Sequence, residues 1–210
     1  MEIEWKDYLR EMKKRFFAKE LIDSAERNSS LNPNEIIRRI NDLICERSIV
    51  VVGIGAVGCW TYQSFQATKQ LLFSSGGMAP MGYALCAGIG AALTDPDRPV
   101  VLIEGDGGFQ LNIQELATIM HHKIPMKIFI FNNGGYLTIK QTQELGFNGR
   151  IMGADKKSGL SFPNYRKLAQ TYKMNYFKAK SNKELKEILK IVVNSKGASI
   201  CEIIMDPDEE

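Results

Sequence analysis

The chain has 210 residues, 44% of them apolar and 24% charged, with a net charge of +3. That length suits one sizeable α/β domain with its own core and would cramp two. The charge is too slight to mark a nucleic-acid or anionic-membrane binder. Four scattered cysteines (Cys45, Cys59, Cys86, Cys201), with no Cys-x-x-Cys pair, argue against a zinc site or disulfide framework and suit a reducing cytosol.

No basic segment followed by an apolar one opens the sequence, so a signal peptide is not expected. Residues 1–47 carry 20 charged side chains, whereas residues 48–94 carry one, Lys69. Charged side chains are rarely buried unpaired. The first block therefore reads as a solvated helical arm with a helix over 34–47. The second reads as interior, or as covered by another subunit. Residues 76–93 are uncharged and long enough to raise the question of a membrane span. Five glycines and Pro80 in that stretch favour a buried helix of small residues instead.

In chain order, the β-branched run 48–52 predicts a strand covered on both faces. A glycine-rich turn at 53–58 and a helix over 60–67 follow. Next come a short strand at 71–74 and a helix over 79–93. In that helix Gly82, Cys86 and Gly90 share one face and offer a contact surface for a second subunit, with Cys59 and Cys86 expected to be small buried hydrophobes. A strand over 100–104, a turn at 105–108, a helix over 109–121 and a strand over 126–131 succeed one another. A Gly-, Lys- and Ser-rich loop follows. Then come a helix over 164–172, a strand over 174–179, a helix opened by the capping-box residues Ser181 and Glu184, and a last strand over 198–205. Residues 206–210 are an acidic tail. This alternation predicts a doubly wound, mainly parallel α/β sheet with helices on both faces, in a domain spanning 48–205.

Ligands bind such sheets at the carboxyl ends of the strands. Three glycine-rich turns fall there. The first, Gly53-Ile-Gly55-Ala-Val-Gly58, fits G-x-G-x-x-G, yet no acidic residue lies between Glu46 and Asp95 to bind a ribose. An NAD reading thus lacks its second half. The other two turns are Gly105-Asp106-Gly107 and, after 24 intervening residues, Asn132-Asn133. A helix and a strand between them return the chain to the same end of the sheet. Asp106 offers a carboxylate oxygen, Asn133 an amide oxygen, and Gly135 a backbone carbonyl. These hard donors are too few for Ca²⁺ and suit Mg²⁺ completed by phosphates and water. Gly107, Gly108 and the helix start beyond them supply N–H groups for an anion.

Gly-Asp-Gly, this gap, then Asn-Asn resembles the thiamine-diphosphate motif. The stretches 105–119 and 127–136, with Ser75-Gly-Gly-Met-Ala-Pro-Met81 upstream, resemble acetolactate synthase. The resemblance covers 48–205, the diphosphate-binding last third of such an enzyme. It implies thiamine diphosphate and Mg²⁺ as cofactors, with the metal on Asp106, Asn133 and the Gly135 carbonyl. Met81 would wedge under the bent cofactor and Leu111 would lie near its thiazolium. Gly55, Gly105, Gly107, Gly108 and Tyr136 complete the expected cofactor site. Ile103 and Phe131 are read as core residues.

One departure is local. The synthases usually carry Gly-Gln-His-Gln-Met-Trp where this chain has Gly55-Ala-Val-Gly-Cys-Trp60, so two diphosphate contacts become Ala56 and Val57. The larger departure is an absence. The family activates its cofactor with a glutamate on a separate pyrimidine-binding domain, and the 47 residues before Ser48 are too few to build one. Glu104 and Glu115 are not read as that glutamate, and no catalytic residue is assigned to this chain. The expectation is a split 2-oxo-acid carboligase or decarboxylase, completed by a pyrimidine-binding subunit as a hetero-oligomer or a dimer of such pairs. A segment of a longer synthase would carry the same features. A sulfopyruvate- or phosphonopyruvate-type decarboxylase subunit and a non-catalytic module of the same fold are the alternatives.

Overall fold

The structure is a computed structural model that describes residues 2–16 and 31–207. Part of the charged arm, and the acidic tail beyond 207, lie outside the described residues.

Helix α1 (Glu2–Phe16) carries a stacked and exposed Trp5–Tyr8 pair. Helix α2 (Pro33–Leu43) starts at Asn32, whose side chain accepts from Glu35 N, with Pro33 in the first turn. It ends four residues earlier than expected because Ile44 turns extended. Ile36, Ile37 and Ile40 are fully buried, each contributing about 1.5–3 kcal/mol relative to exposure. Arg38, Arg39 and Asp42 lie on its outer side, and the one buried charge, Glu35, is paired with Arg39, which explains how a charge-rich segment joins a core.

Six parallel strands follow: β1 (Ile49–Val52), β2 (Leu71–Phe73), β3 (Val100–Gly105), β4 (Lys127–Asn132), β5 (Asn175–Ala179) and β6 (Ser199–Ile204). Their order across the sheet is β2-β1-β3-β4-β6-β5. β1, β3, β4 and β6 are almost wholly buried, as expected of strands covered on both faces. Alternate residues feed two cores. Val50, Val52, Val101, Ile103, Phe129 and Phe131 pack on one side with α2, with α3 (Ala56–Ser64) and with α9 (Asn182–Asn194). Ile49, Val51, Leu102, Ile128 and Ile130 pack on the other with α4 (Tyr83–Thr94), α6 (Leu116–His121) and α8 (Tyr165–Thr171).

The chain leaves β1 toward one edge, to β2, and leaves β3 toward the other, to β4. The carboxyl ends of β1 and β3 therefore flank the point where strand order reverses, which is where a crevice opens in such sheets.

Several local expectations are corrected. The helix after β1 begins at Ala56, so Gly58 lies inside it. There the missing side chain lets the helix pack closely on the Gly53 carbonyl, since an added Cβ would come 2.9 Å from that oxygen. The helix expected from residue 79 starts at Tyr83, because Ala79 (φ 43°) and Gly82 (φ 83°) are left-handed. Cys59 and Cys86 are exposed rather than buried. On α4 the residue that permits close packing is Gly88, where a Cβ would come 3.0 Å from Met126. Gly82 is buried, and Cys86 and Gly90 are exposed. The helix after β3 starts at Asp106 rather than Phe109: α5 (Asp106–Gln110) is separated from α6 by a short 3₁₀ turn, Ile113–Glu115. The Gly-rich loop after Tyr136 contains a helix, α7 (Leu137–Gly146). Among the described residues no helix is long and apolar enough to cross a membrane.

Candidate functional site

The crevice between β1 and β3 holds a cavity of about 310 Å³. Its walls come from the turn after β1 (Ile54–Val57), the start of α5 (Gly105–Gly108), and the segment from Asn133 to Ile139. Ala79 and Met81 close one side and Met205 another.

Asp106 is 2% exposed. Its Oδ1 accepts from Gly107 N at 2.7 Å, and its Oδ2 accepts from Gly134 N at 2.7 Å. Tyr165, from α8, donates to the Asp106 carbonyl at 3.3 Å. The residue is thus pinned by side chain and main chain alike. Burial pushes its carboxyl up to about 7, although N–H groups of residues 107 and 133–135 oppose the shift.

The end of the Asn133 amide that faces the cavity lies 3.3 Å from Asp106 Oδ2 and 2.9 Å from the Gly135 carbonyl oxygen. With nitrogen turned inward it donates to both. With oxygen turned inward, three oxygens converge, an arrangement that is repulsive until a cation sits among them. The donor set of carboxylate, amide and carbonyl is the hard-oxygen chemistry of Mg²⁺. Among the described residues no three His, Cys, Asp or Glu side chains gather to hold a metal.

Close approach explains the glycines. A Cβ at Gly107 would overlap the Tyr136 ring, and one at Gly135 would come 2.6 Å from the Ala154 carbonyl oxygen. Tyr136 is fixed in turn, with its N–H donating to Ala154 O at 2.8 Å and its ring edge-on to Phe162. Gly134 takes φ 76°, a left-handed turn that favours glycine. On the other flank, Glu104 fills the space that side chains at Gly53 and Gly108 would need. Glu104 is 1% exposed and accepts from Gly105 N at 3.0 Å. Burial pushes its carboxyl up to about 8.

The structure thus brings Gly55, Met81, Gly105, Asp106, Gly107, Gly108, Asn133, Gly135 and Tyr136 onto one cavity. Leu111 is not on its wall. It is half exposed and packs over Gly82. Phe131, expected only in the core, serves both core and cavity. Ala56, Val57 and Trp60 give the β1 side an apolar surface. Thr138 and Ile139 were missed. They sit on α7, whose sequence carries no amphipathic signal strong enough to announce a helix. Thr138 faces Gly55 across the cavity, where an added Cβ would lie 3.5 Å from its Oγ1.

A family model, thiamine pyrophosphate enzyme, C-terminal TPP binding domain, matches residues 53–203. The chain belongs to this family. Thiamine pyrophosphate, the other name of thiamine diphosphate, is the cofactor of this domain. The TPP-binding domain is similar to the acetolactate synthase large subunit of Cyanidium caldarium, at 29% identity over 85% of this chain and 30% of that protein. The large subunit of Lactococcus lactis subsp. lactis (strain IL1403) is 31% identical over 87% of this chain and 31% of its own length. A probable acetolactate synthase large subunit of Methanococcus aeolicus is 33% identical over 84% and 30%. The chain spans less than a third of the length of these relatives.

Proposed function

We propose that this TPP-binding domain forms the diphosphate and Mg²⁺ half of a thiamine-diphosphate-dependent enzyme that acts on a small 2-oxo acid. The reaction is carboligation of the acetolactate synthase type, with decarboxylation without an acceptor as the narrower variant. The observation that most supports this is the meeting of Asp106, Asn133 and the Gly135 carbonyl at one point on the cavity rim.

In this reading the bound cofactor supplies a carbon nucleophile and an electron sink. The chain's own residues hold it. Asp106, Asn133 and the Gly135 carbonyl ligate Mg²⁺, which neutralises the diphosphate. Gly107 N is committed to Asp106 Oδ1, so the N–H at the start of α5 that would serve the same anion is that of Gly108. Met81, on the cavity wall beside Ala79, would give the cofactor an apolar surface to rest against. The apolar wall of Val57, Trp60 and Phe131 excludes water, which strengthens every charge interaction within. The glutamate that activates the cofactor is contributed by a pyrimidine-binding domain, on a partner chain or elsewhere in a longer polypeptide. The assembly works in the cytoplasm.

Calorimetric titration with thiamine diphosphate and Mg²⁺ tests the reading. Saturable binding that requires both ligands, and is abolished by Asp106→Ala, is expected. Unaltered affinity in that variant would refute the ligand assignment. A second reading, a module that retains the fold without turnover, is favoured by Ala56 and Val57, where the synthases usually carry Gln and His. Wild-type chain that fails to bind even with a pyrimidine-binding partner would select it.

A further inference from the structure

Glu202 is a buried carboxylate, 6% exposed, in the middle of β6. Its two oxygens face different neighbours. Oε2 is tied to the edge strand β5: Lys178 Nζ lies at 3.1 Å, directly across in register, and the Tyr176 hydroxyl donates to it. Arg166 covers the Tyr176 ring, 5.3 Å from its centroid. Those contacts alone satisfy one oxygen. Oε1 points the other way and accepts from Asn132 Nδ2 at 2.6 Å.

Asn132 is the last residue of β4, next to the candidate metal ligand Asn133. Its own Oδ1 accepts from Gly134 N at 3.1 Å, and Gly134 N also donates to Asp106 Oδ2. A continuous path of hydrogen bonds thus runs from β5, through Glu202 and Asn132, to the Gly134 peptide and Asp106. An amide can donate and accept at once only in one orientation, and Glu202 dictates it: nitrogen toward the carboxylate, oxygen toward Gly134.

We infer that Glu202 is a positioning residue for the 132–135 loop, acting through Asn132 to fix the Gly134 peptide. This holds the Asn133 amide and the Gly135 carbonyl in place beside Asp106. The inference rests on the metal-site reading above. A purely structural ion pair would need Lys178 and Tyr176 but not the link to Asn132. The two roles therefore separate by oxygen.

The test uses the full chain and four variants. Glu202→Leu removes both oxygens. Glu202→Gln keeps a single acceptor, for which Asn132 competes with Lys178 and Tyr176. Asn132→Ala cuts the link while leaving Glu202 with Lys178 and Tyr176. Tyr176→Phe weakens only the β5 side. Amide hydrogen exchange at Gly134 is measured without cofactor, and Mg²⁺ affinity is measured by calorimetry at saturating thiamine diphosphate. Glu202→Leu and Asn132→Ala are expected to speed Gly134 exchange at least tenfold and weaken Mg²⁺ at least tenfold. Tyr176→Phe should stay within threefold on both, even where it lowers Tm, and Glu202→Gln should fall between wild type and Glu202→Leu. Should Glu202→Leu fail to fold, Asn132→Ala decides alone. Gly134 exchange unchanged in Asn132→Ala, or weakened equally by Tyr176→Phe, overturns the inference. Wild-type chain that binds no cofactor overturns the metal-site reading instead, while the exchange data still judge the tether.

Discussion

Substituting Gly107 by alanine sets two physical effects against each other. Gly107 lies inside α5 with a negative φ, so helix propensity alone favours alanine there by about 1 kcal/mol. The added Cβ, however, would fall well inside 3.0 Å of Tyr136 Cε1 and Cδ1. The ring cannot swing away freely, because its backbone is held by Ala154 and its edge by Phe162 at 6.1 Å between centroids. Overpacking of this kind costs about 1–3 kcal/mol, and loss of an aromatic pair about 0.5–1.5 kcal/mol. The clash therefore wins, and Gly107→Ala is expected to destabilise by about 2 kcal/mol in urea denaturation. Its partner in a double-mutant cycle is Tyr136→Ala, which removes the obstructing ring. In that background Gly107→Ala should cost nothing or stabilise, giving a coupling of at least about 1 kcal/mol. Gly107→Ala that stabilises the otherwise wild-type chain, or additivity within about 0.5 kcal/mol, would refute the steric argument.

Other expectations concern charge. Asp106, held up near 7 by burial, must lose its proton to bind Mg²⁺. Metal affinity should thus fall as pH drops through 7, up to about tenfold per pH step, with proton release measurable from the buffer dependence of the binding heat. Flat affinity from pH 6 to 8 would contradict it. Glu104 is raised from 4.5 to about 8. Its folded form therefore keeps a proton that the unfolded chain gives up, and stability in EDTA should decline between pH 4.5 and 8. At about 1.4 kcal/mol per pH step the full effect is on the order of 5 kcal/mol. Asp106, raised from 3.8 to about 7, adds a decline of its own below pH 7, so Glu104→Gln should remove roughly half of the total slope and nearly all of it between pH 7 and 8; an unchanged slope would assign the pH dependence elsewhere. Gly108→Ala drives a Cβ into the Glu104 carboxylate. It should destabilise in the wild-type chain and much less in Glu104→Ala, as read by the same denaturation assay.

The sheet was legible because β1, β3, β4 and β6 are largely apolar runs, buried along almost their whole length, and the aspartate–asparagine pair because strand–helix–strand spacing returns the chain to one rim. What the sequence hid was of other kinds. Helix α7 shows no apolar stripe, since only Leu137 is buried, while Ile139 is partly open at the cavity and Leu145 is exposed. The start of α5 at Asp106 was masked by Gly107 and Gly108. These are poor helix formers, kept there by Tyr136 and Glu104, which arrive from distant or neighbouring positions. Glu202 sits 70 residues from Asn132 in the chain, and no local pattern couples them. Cys59 and Cys86 escaped burial because α3 and α4 turn those positions outward, which a composition argument cannot see.

At the amino end of the sheet, Lys127 is 9% exposed and spends its three N–H donors on Ser195 O, Ser195 Oγ and Gly197 O. Those acceptors belong to the connection that delivers β6, so this one ammonium locks the slide of β6 along β4. A slip of a single residue would put Glu202 on the face that Cys201 and Ile203 now occupy, swapping a carboxylate into an apolar layer. A lysine about 17 Å from the rim, at roughly 3.3 Å per residue, thereby acts as the vernier that aligns the opposite end.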